Sequence, residues 1–399
     1  MTETAYCTIL STNYLPKALA LAESLRRHEG EFSLTILLTD ARSADQLPVI
    51  PALPGVEVVG TDVLGLPERE LLHLATIYDL VEFATAVKPL LLKRLLQTSG
   101  AAAYLDPDTY LTAPMVELPI DLAATEGGIL LTPHFLEPVT DPNAMLQEGH
   151  LLNVGVFNLG FCAVDRRAIG FLDWWWGHLE RECLWDPISG LFVDQKWVDI
   201  GATLFRAGAW RHAGYNVSVA NLHERPIAVD DEGLFVSSTK DRLRLFHFHA
   251  FDTAHPEELS TRLIGSTSHL REQSRTLDAL CREYAEIVMR YEAQLAKAPR
   301  YAYAADTAGK PLSRQLRRAY RLNLEDDASL PVPFLAQEAE AWAAWRRGAW
   351  RTEAKELAGD AVKSIRLVLP EEYGRIKKRL PGVSSKLKAK LVRNQGIWH

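Results

Sequence analysis

The sequence has only four cysteines in 399 residues, Cys7, Cys162, Cys183 and Cys281, and no two of them form a CxxC pair. That argues against a disulfide framework or a zinc site, and reduced cytosolic thiols are expected. No apolar run approaches the roughly 20 residues that cross a bilayer. The start, MTETAYCTIL, lacks a basic n-region and runs straight into a strand-like stretch, so no secretory signal is expected. There is no internal repeat and no low-complexity linker. A net charge of -7 argues against a general nucleic-acid binder. The loop after the first strand-like run, STNYLPK, contains no glycine. A nucleotidyltransferase usually places a Gly-rich, basic loop there.

What is present is a core-forming composition, 47% hydrophobic, with an uneven charge distribution. Residues 361–399 hold ten Lys or Arg against two Glu, a net of +8. Residues 1–360 therefore carry -15 of the total of -7. Leu, Ile and Val alternate with the basic residues of this tail, interrupted by Pro370 and Pro381. A basic amphipathic segment suits an anionic membrane surface. It equally suits a solvated helix face or a dimer contact.

The first hundred residues alternate strand and helix signals. YCTIL and SLTILLTD read as buried strands, with KALALAESLRRH between them as a helix ending on basic residues. STNYLP reads as a loop, and VEVVGTDVL as a third strand. Residues 78–97 read as one helix, kinked at Pro89. This is the pattern of a doubly wound α/β domain with a parallel sheet. Further strands are expected at GILLTP, VGVFNLGFCAV and LRLFHFHAF, with a helix at AIGFLDWWWGHLERECL. From about residue 256 the strand signals stop and helical periodicity takes over.

Chemistry concentrates at YLDPDTYL. In an extended segment residues i and i+2 face the same way, so Asp106 and Asp108 converge on one point, with Pro107 stiffening the backbone between them. Two hard oxygen donors at a strand end suit Mg²⁺ or Mn²⁺ better than zinc. Asp-Pro is also a common opening of a type I turn, and the pair alone does not decide between the two. In LLNVGVFNLGF, Asn153 and Gly155 would let backbone approach a sugar closely, or mark a hairpin or bulge. Asp194 and Gln195 open a helix, where Asp serves as an N-cap. His247 and His249 share one face of a strand whose other face carries Phe246, Phe248 and Ala250. The Trp174–Trp176 run spreads around a helix and cannot form one stacking platform. LHERP (His223, Glu224, Arg225) offers either a ligand contact or a loop ion pair.

In order and spacing these segments resemble bacterial glycosyltransferases of the GT-A fold, the family 8-like group of glycogenin-like and lipopolysaccharide galactosyltransferase enzymes. The resemblance covers about residues 5–255, and more weakly 256–325. It divides the chain into a nucleotide-sugar-binding catalytic domain at 1–255, a helical extension at 256–330 and a basic helical tail at 331–399. It implies that Thr12, Asn13 and Tyr14 of STNYLP, with Asp40, serve the nucleotide base. VEFATAVKP supplies Lys88 toward the diphosphate, and YLDPDTYL is the DxD motif. NVGVFNLGF, through Asn153 and Gly155, touches the donor sugar. FVDQKWVD brings Asp194 and Gln195 to the reacting centre. AGYNVSVANLHER and LRLFHFHAFD look like the closing motifs, and the histidine that completes the metal shell falls on His247. Ala250 stands where that pattern usually has Gly, and His249 where a small residue is common.

The implied protein is a retaining hexosyltransferase using a divalent Mn²⁺ or Mg²⁺ ion, with a nucleotide-diphosphate sugar as donor and a glycan or lipid-linked acceptor. The expected setting is cell-surface polysaccharide or glycolipid synthesis, in the cytoplasm or at the inner face of the membrane, with a homodimer as one use of the tail. The competing classes are a nucleotidyltransferase of related fold and a non-catalytic nucleotide-sugar or glycan-binding protein.

Overall fold

A computed structural model describes residues 4–142, 144–262, 266–371, 373 and 375. Most of residues 361–399 therefore lies outside the described residues, and so does the expectation of a membrane or dimer contact through that segment. The chain divides into two compact units. One comprises Met1–Leu312 with Val332–Ala339, the other Ser313–Pro331 with Glu340–His399.

In the first unit the strands run β1 (Thr4–Leu10), β2 (Ser33–Leu38), β3 (Val56–Val59), β4 (Ala101–Leu105), β5 (Thr109–Leu111), β6 (Ile129–Pro133) and β7 (Phe157–Asp165). They continue with β8 (Trp185–Asp186), β9 (Leu191–Phe192), β10 (Gly208–Ala209), β11 (Val217–Ser218), β12 (Ile227–Asp230), β13 (Gly233–Val236) and β14 (Leu245–His247). Among the described residues, seven of them form a central sheet in the order β10-β6-β7-β4-β1-β2-β3. β4, β1, β2 and β3 are mutually parallel, and β7 runs antiparallel to both of its neighbours, β4 and β6. The fold is thus mixed α/β with a parallel-rich central sheet. β1, β2 and β4 are near-continuously buried, as a sheet covered on both faces requires.

The covering helices are α1 (Leu15–His28), α2 (Glu68–Ile77), α3 (Leu80–Ala86), α4 (Lys88–Leu95), α5 (Leu118–Ala124), α6 (Glu148–Val154), α7 (Ile169–Glu182) and α8 (Gln195–Leu204). Pro16 opens α1 and Arg26, Arg27 and His28 close it, which suits the ends of the helix dipole. After β14 come α9 (Ser268–Gln273) and α10 (Arg275–Gln294) in the first unit, and α11 (Arg314–Asp326) in the second. α12 (Ala339–Val368) belongs to the second unit apart from its first residue. Within that second unit Tyr320, Trp342 and Trp345 pack ring against ring. No helix of the described residues is long and apolar enough to cross a membrane.

Several local expectations need correction. STNYLP is not an open loop: Thr12–Tyr14 form a 3-10 turn that leads directly into α1. The third strand stops at Val59, because Thr61–Leu64 coil into a further 3-10 turn. Residues 78–97 are two helices, not one kinked at Pro89. The break falls at Val87, and Pro89 sits in the first turn of α4, where its missing N–H is harmless. α3 has its own start signal, a capping box between Asp79 and Glu82. Asn153 lies on α6 and not on a strand. Gly155, at φ 113°, ends that helix, and β7 begins only at Phe157. β14 ends at His247, so His249 lies beyond the strand.

The four cysteines are unpaired and buried. Trp175 is buried in the core, while Trp174 packs on Phe171, Trp197 and Phe205. Glu224 and Arg225 form an ion pair with each other at 2.8 Å, so LHERP is at least an internal tie.

Candidate functional site

The carboxyl ends of the adjacent parallel strands β4, β1 and β2 gather half of the candidate residues. Open α/β sheets bind ligands at this edge. β1 runs into Thr12–Tyr14, β2 into Asp40 and β4 into Asp106. Asp40 accepts from the Thr12 backbone N–H at 3.0 Å and from its hydroxyl at 2.9 Å. Ser11 donates to the Asn13 side chain. Tyr14 is partly exposed, and the Lys17 ammonium sits over its ring at 4.8 Å while donating to the Phe251 carbonyl.

The acidic pair occupies a corner. β4 belongs to the central sheet, and β5, three residues on, belongs to a second sheet of order β11-β14-β5. The chain changes sheets across Asp106-Pro107-Asp108. The Asp106 carbonyl accepts from the Thr109 N–H at 3.0 Å, so the turn seen in the sequence exists as well. β14 lies antiparallel to β5 with His247 opposite Thr109, which delivers the imidazole to the acids. His247 Nε2 lies 3.2 Å from Asp108 Oδ1 and 3.6 Å from Asp106 Oδ2. Among the described residues, these three offer one ligand atom each, all within 4.8 Å of one another.

Burial alone would raise the Asp108 carboxyl, but the His247 ring beside it holds it well below the usual carboxylate range. Burial would likewise lower His247, and Asp108 outweighs it to push the imidazole up. Two carboxylates and one imidazole, with no thiol among them, form a donor set that fits Mn²⁺ or Mg²⁺. His249 is set apart. Its Nε2 faces Arg262 Nη1 at 2.8 Å, and burial followed by the neighbouring His247 pushes its pKa down to about 3. Its Nε2 is thus committed to Arg262.

A second constellation backs the first. Lys88 Nζ lies 2.6 Å from Asp194 Oδ2, with both side chains buried. Charge attraction is the larger part of this contact, ahead of the side-chain hydrogen bond. Lys88 also donates to the Leu159 carbonyl and sits 4.0 Å over the Tyr104 ring. Tyr104 in turn donates to Asp106 at 2.7 Å. Burial raises the Asp194 carboxyl, and Lys88 opposes that rise. Asp194 occupies the N-cap position of α8 without capping it, because its carboxylate faces Lys88 instead. Val193, just before it, adopts φ 41°, a strained conformation for a β-branched residue.

The Gln195 amide donates to the Val154 carbonyl at 2.8 Å and accepts from the Leu159 N–H, tying α6 to β7 beside Gly155. Asn153 is exposed on α6, one residue before that contact.

The sequence did not single out Lys17, Tyr104, Asn216 or Arg262. Lys17 and Arg262 are cations beside the cluster: Asp108 feels Lys17, and His247 feels Arg262. The available signals were positional: Lys17 directly follows STNYLP, Tyr104 opens YLDPDTYL and Asn216 lies within AGYNVSVANLHER.

No family model matches the chain. The uncharacterized protein YfnF of Bacillus subtilis (strain 168) is 29% identical over 210 residues, which cover 50% of this chain. The chain spans 66% of that relative's length. Among solved structures, the WbbM bifunctional glycosyltransferase matches at 15% identity and a TM-score of 0.43, over 73% of this chain and 52% of that one. The galactosyltransferase LgtC, in complex with donor and acceptor sugar analogs, matches at 15% identity and a TM-score of 0.41, over 74% and 98%. A glycosyltransferase involved in glycosylation of the major capsid of PBCV-1 matches at 12% identity and a TM-score of 0.36, over 63% and 96%.

Proposed function

We propose that this chain is a metal-dependent glycosyltransferase of GT-A type, moving a sugar from a nucleotide-diphosphate donor to a hydroxyl acceptor with retention. The observation that carries this is the Asp106–Asp108–His247 cluster at the carboxyl edge of parallel strands, beside the Thr12–Asp40 contact. The nucleotide base and ribose are assigned to Thr12, Asn13, Tyr14 and Asp40, and the diphosphate to the region of the cluster. When bound there, a divalent ion would neutralise negative charge on the diphosphate leaving group.

The chain's own groups do the rest. Asp106, Asp108 and His247 hold the ion. Asp194 and Gln195 are assigned to the reacting centre, and Asn153 and Gly155 to the donor sugar. Lys88 acts through Asp194: its charge opposes the pull of burial toward a neutral acid and fixes the carboxylate's position. Catalysis on this reading is positioning plus charge neutralisation. The acceptor is assigned to the class of glycan or lipid-linked hydroxyls, and the catalytic part to residues 1–255.

The test is thermal stability of the wild type and Asp108→Ala against nucleoside diphosphates and nucleotide sugars, with and without Mn²⁺. A ligand that binds only the native state at a hundredfold excess over Kd stabilises by about 2.7 kcal/mol. A Mn²⁺-dependent shift with one nucleotide, lost in the variant, together with slow release of free sugar, supports the reading. Pyrophosphate release from a nucleoside triphosphate would make it a nucleotidyltransferase. Binding without either product would make it a binding module.

A further inference from the structure

Asn216 lies on the far side of the His247 ring from the acids. It is 1% exposed, and it precedes β11, which pairs with the strand that carries His247. Its Oδ1 is 3.0 Å from His247 Nδ1. Which tautomer the ring adopts depends on which way this amide points, and its neighbours decide that. Asn216 Nδ2 lies 3.0 Å from the Asn158 carbonyl and 2.8 Å from Thr132 Oγ1. A carbonyl only accepts. The Thr132 hydroxyl spends its own proton on that same Asn158 carbonyl at 3.1 Å, leaving only a lone pair for Asn216. A flipped amide would set its oxygen against the Asn158 carbonyl, which has no proton to offer. Nδ2 is therefore the donor on that side, and Oδ1 is the acceptor facing the imidazole. Only a protonated Nδ1 satisfies it.

We propose that Asn216 is the positioning residue of this site, holding His247 as the Nδ1–H tautomer so that the Nε2 lone pair points between Asp106 and Asp108. The inference rests on the divalent-cation reading of the cluster. Two features support a dedicated role. Asn216 adopts φ 54°, a left-handed conformation that most residues avoid and Asn tolerates. Gly160 closes the ring in from another direction: a Cβ there would meet His247 Nδ1 at 2.5 Å. The imidazole thus has one edge hydrogen-bonded to Asn216, one packed side and one nitrogen facing the two acids. Partners behind a ligating histidine fix its orientation, and their loss typically costs 10–100-fold in metal affinity or activity.

The experiment uses the full chain labelled with ¹⁵N-histidine. Long-range ¹H–¹⁵N correlation of the metal-free wild type, at a pH where His247 is neutral, reads the tautomer. Electron paramagnetic resonance titration reads the Mn²⁺ Kd of the wild type and of Asn216→Gly. Glycine keeps the left-handed backbone and removes the amide. The expected result is Nδ1–H in the wild type, loss of that preference in the variant, and a Mn²⁺ Kd weakened roughly 10–100-fold. An Nε2–H wild type overturns the proposal, and so does a variant that binds Mn²⁺ as tightly as wild type. Should the variant fail to fold, the wild-type tautomer alone decides. A wild type that is Nδ1–H but binds no divalent ion keeps the tautomer assignment and overturns the metal reading instead.

Discussion

The Lys88 ammonium lies 2.6 Å from the Asp194 carboxylate, with the two side chains 2% and 3% exposed. A fully buried pair of this kind is fragile when halved. Removing one partner strands the other charge in the core, which costs about 3–5 kcal/mol, whereas replacing both by apolar residues is often neutral. Lys88→Met should therefore lower the denaturant midpoint sharply. Lys88→Met with Asp194→Leu should recover most of that loss while leaving transfer activity absent. If the single variant is as stable as the double, the pair is not the structural tie described here.

A related expectation concerns the acids. Asp106 and Asp108 differ in surroundings: Asp106 is 29% exposed and accepts from Tyr104, while Asp108 is 10% exposed and faces His247. Both are ligand candidates, so both Asn variants should lose turnover by about 100-fold or more, since a bound ion supplies several kcal/mol of charge stabilisation. Chelation should abolish wild-type turnover, and added Mn²⁺ should restore it. Turnover that survives both chelation and Asp108→Asn would remove the ion from the reaction.

Part of this site was legible in the sequence, and the limit is physical. Spacing marked Asp106 and Asp108 as a pair, but a turn between two sheets brings them together and not the extended segment expected. The choice between His247 and His249 was not legible, because both share the parity of one strand face. Register, with His247 opposite Thr109, and the end of β14 at His247 bring that ring to the acids and not His249. The Lys88–Asp194 pair joins α4 to the start of α8, and no local pattern links positions so far apart. Asp194 read as an N-cap because a helix does begin there, but tertiary charge outcompeted the cap. Asn153 was grouped with the strand-like NVGVFNLGF, whereas Gly155 at positive φ ends a helix that contains it. The first strands and α1 were legible, since near-continuous apolar strands suit a covered parallel sheet, but α2 was not expected and 78–97 divides into two helices.

Stability should also depend on pH through Glu117. Its carboxylate accepts from Arg244 at 2.6 Å and from the Tyr215 hydroxyl at 2.8 Å, with His212 at 3.6 Å. It ties the start of α5 to the segments that carry Asn216 and β14. Burial raises this acid, but the Arg244 and Tyr215 hydrogen bonds outweigh it, so its folded pKa lies below the ordinary 4.5. A depressed carboxyl contributes stability above its unfolded pKa and loses it as pH falls through the folded value. Glu117→Gln should therefore melt lower than wild type at pH 7, and the two curves should converge as the pH drops below about 4.5. A gap that stays constant down to pH 3 would rule out this linkage.

Gly160 and Gly155 allow the last test, because they exclude a side chain for different reasons. At Gly160 a Cβ would lie 2.4 Å from His247 Cε1, and the ring cannot retreat while Nδ1 is tied to Asn216. At Gly155 the backbone itself is the obstacle, at φ 113°, with Asp199 Oδ1 3.3 Å from the added atom. Gly160→Ala should therefore displace the imidazole and weaken Mn²⁺ binding at least about 10-fold, beyond an overpacking cost of about 1–3 kcal/mol. Gly155→Ala should cost about 1–3 kcal/mol of stability through strain and leave Mn²⁺ affinity unchanged. Titrating Mn²⁺ into both variants, alongside their melting curves, separates the two effects. Equal loss of Mn²⁺ affinity in both would mean that the metal cluster responds to general loosening of β7 and not to the placement of His247.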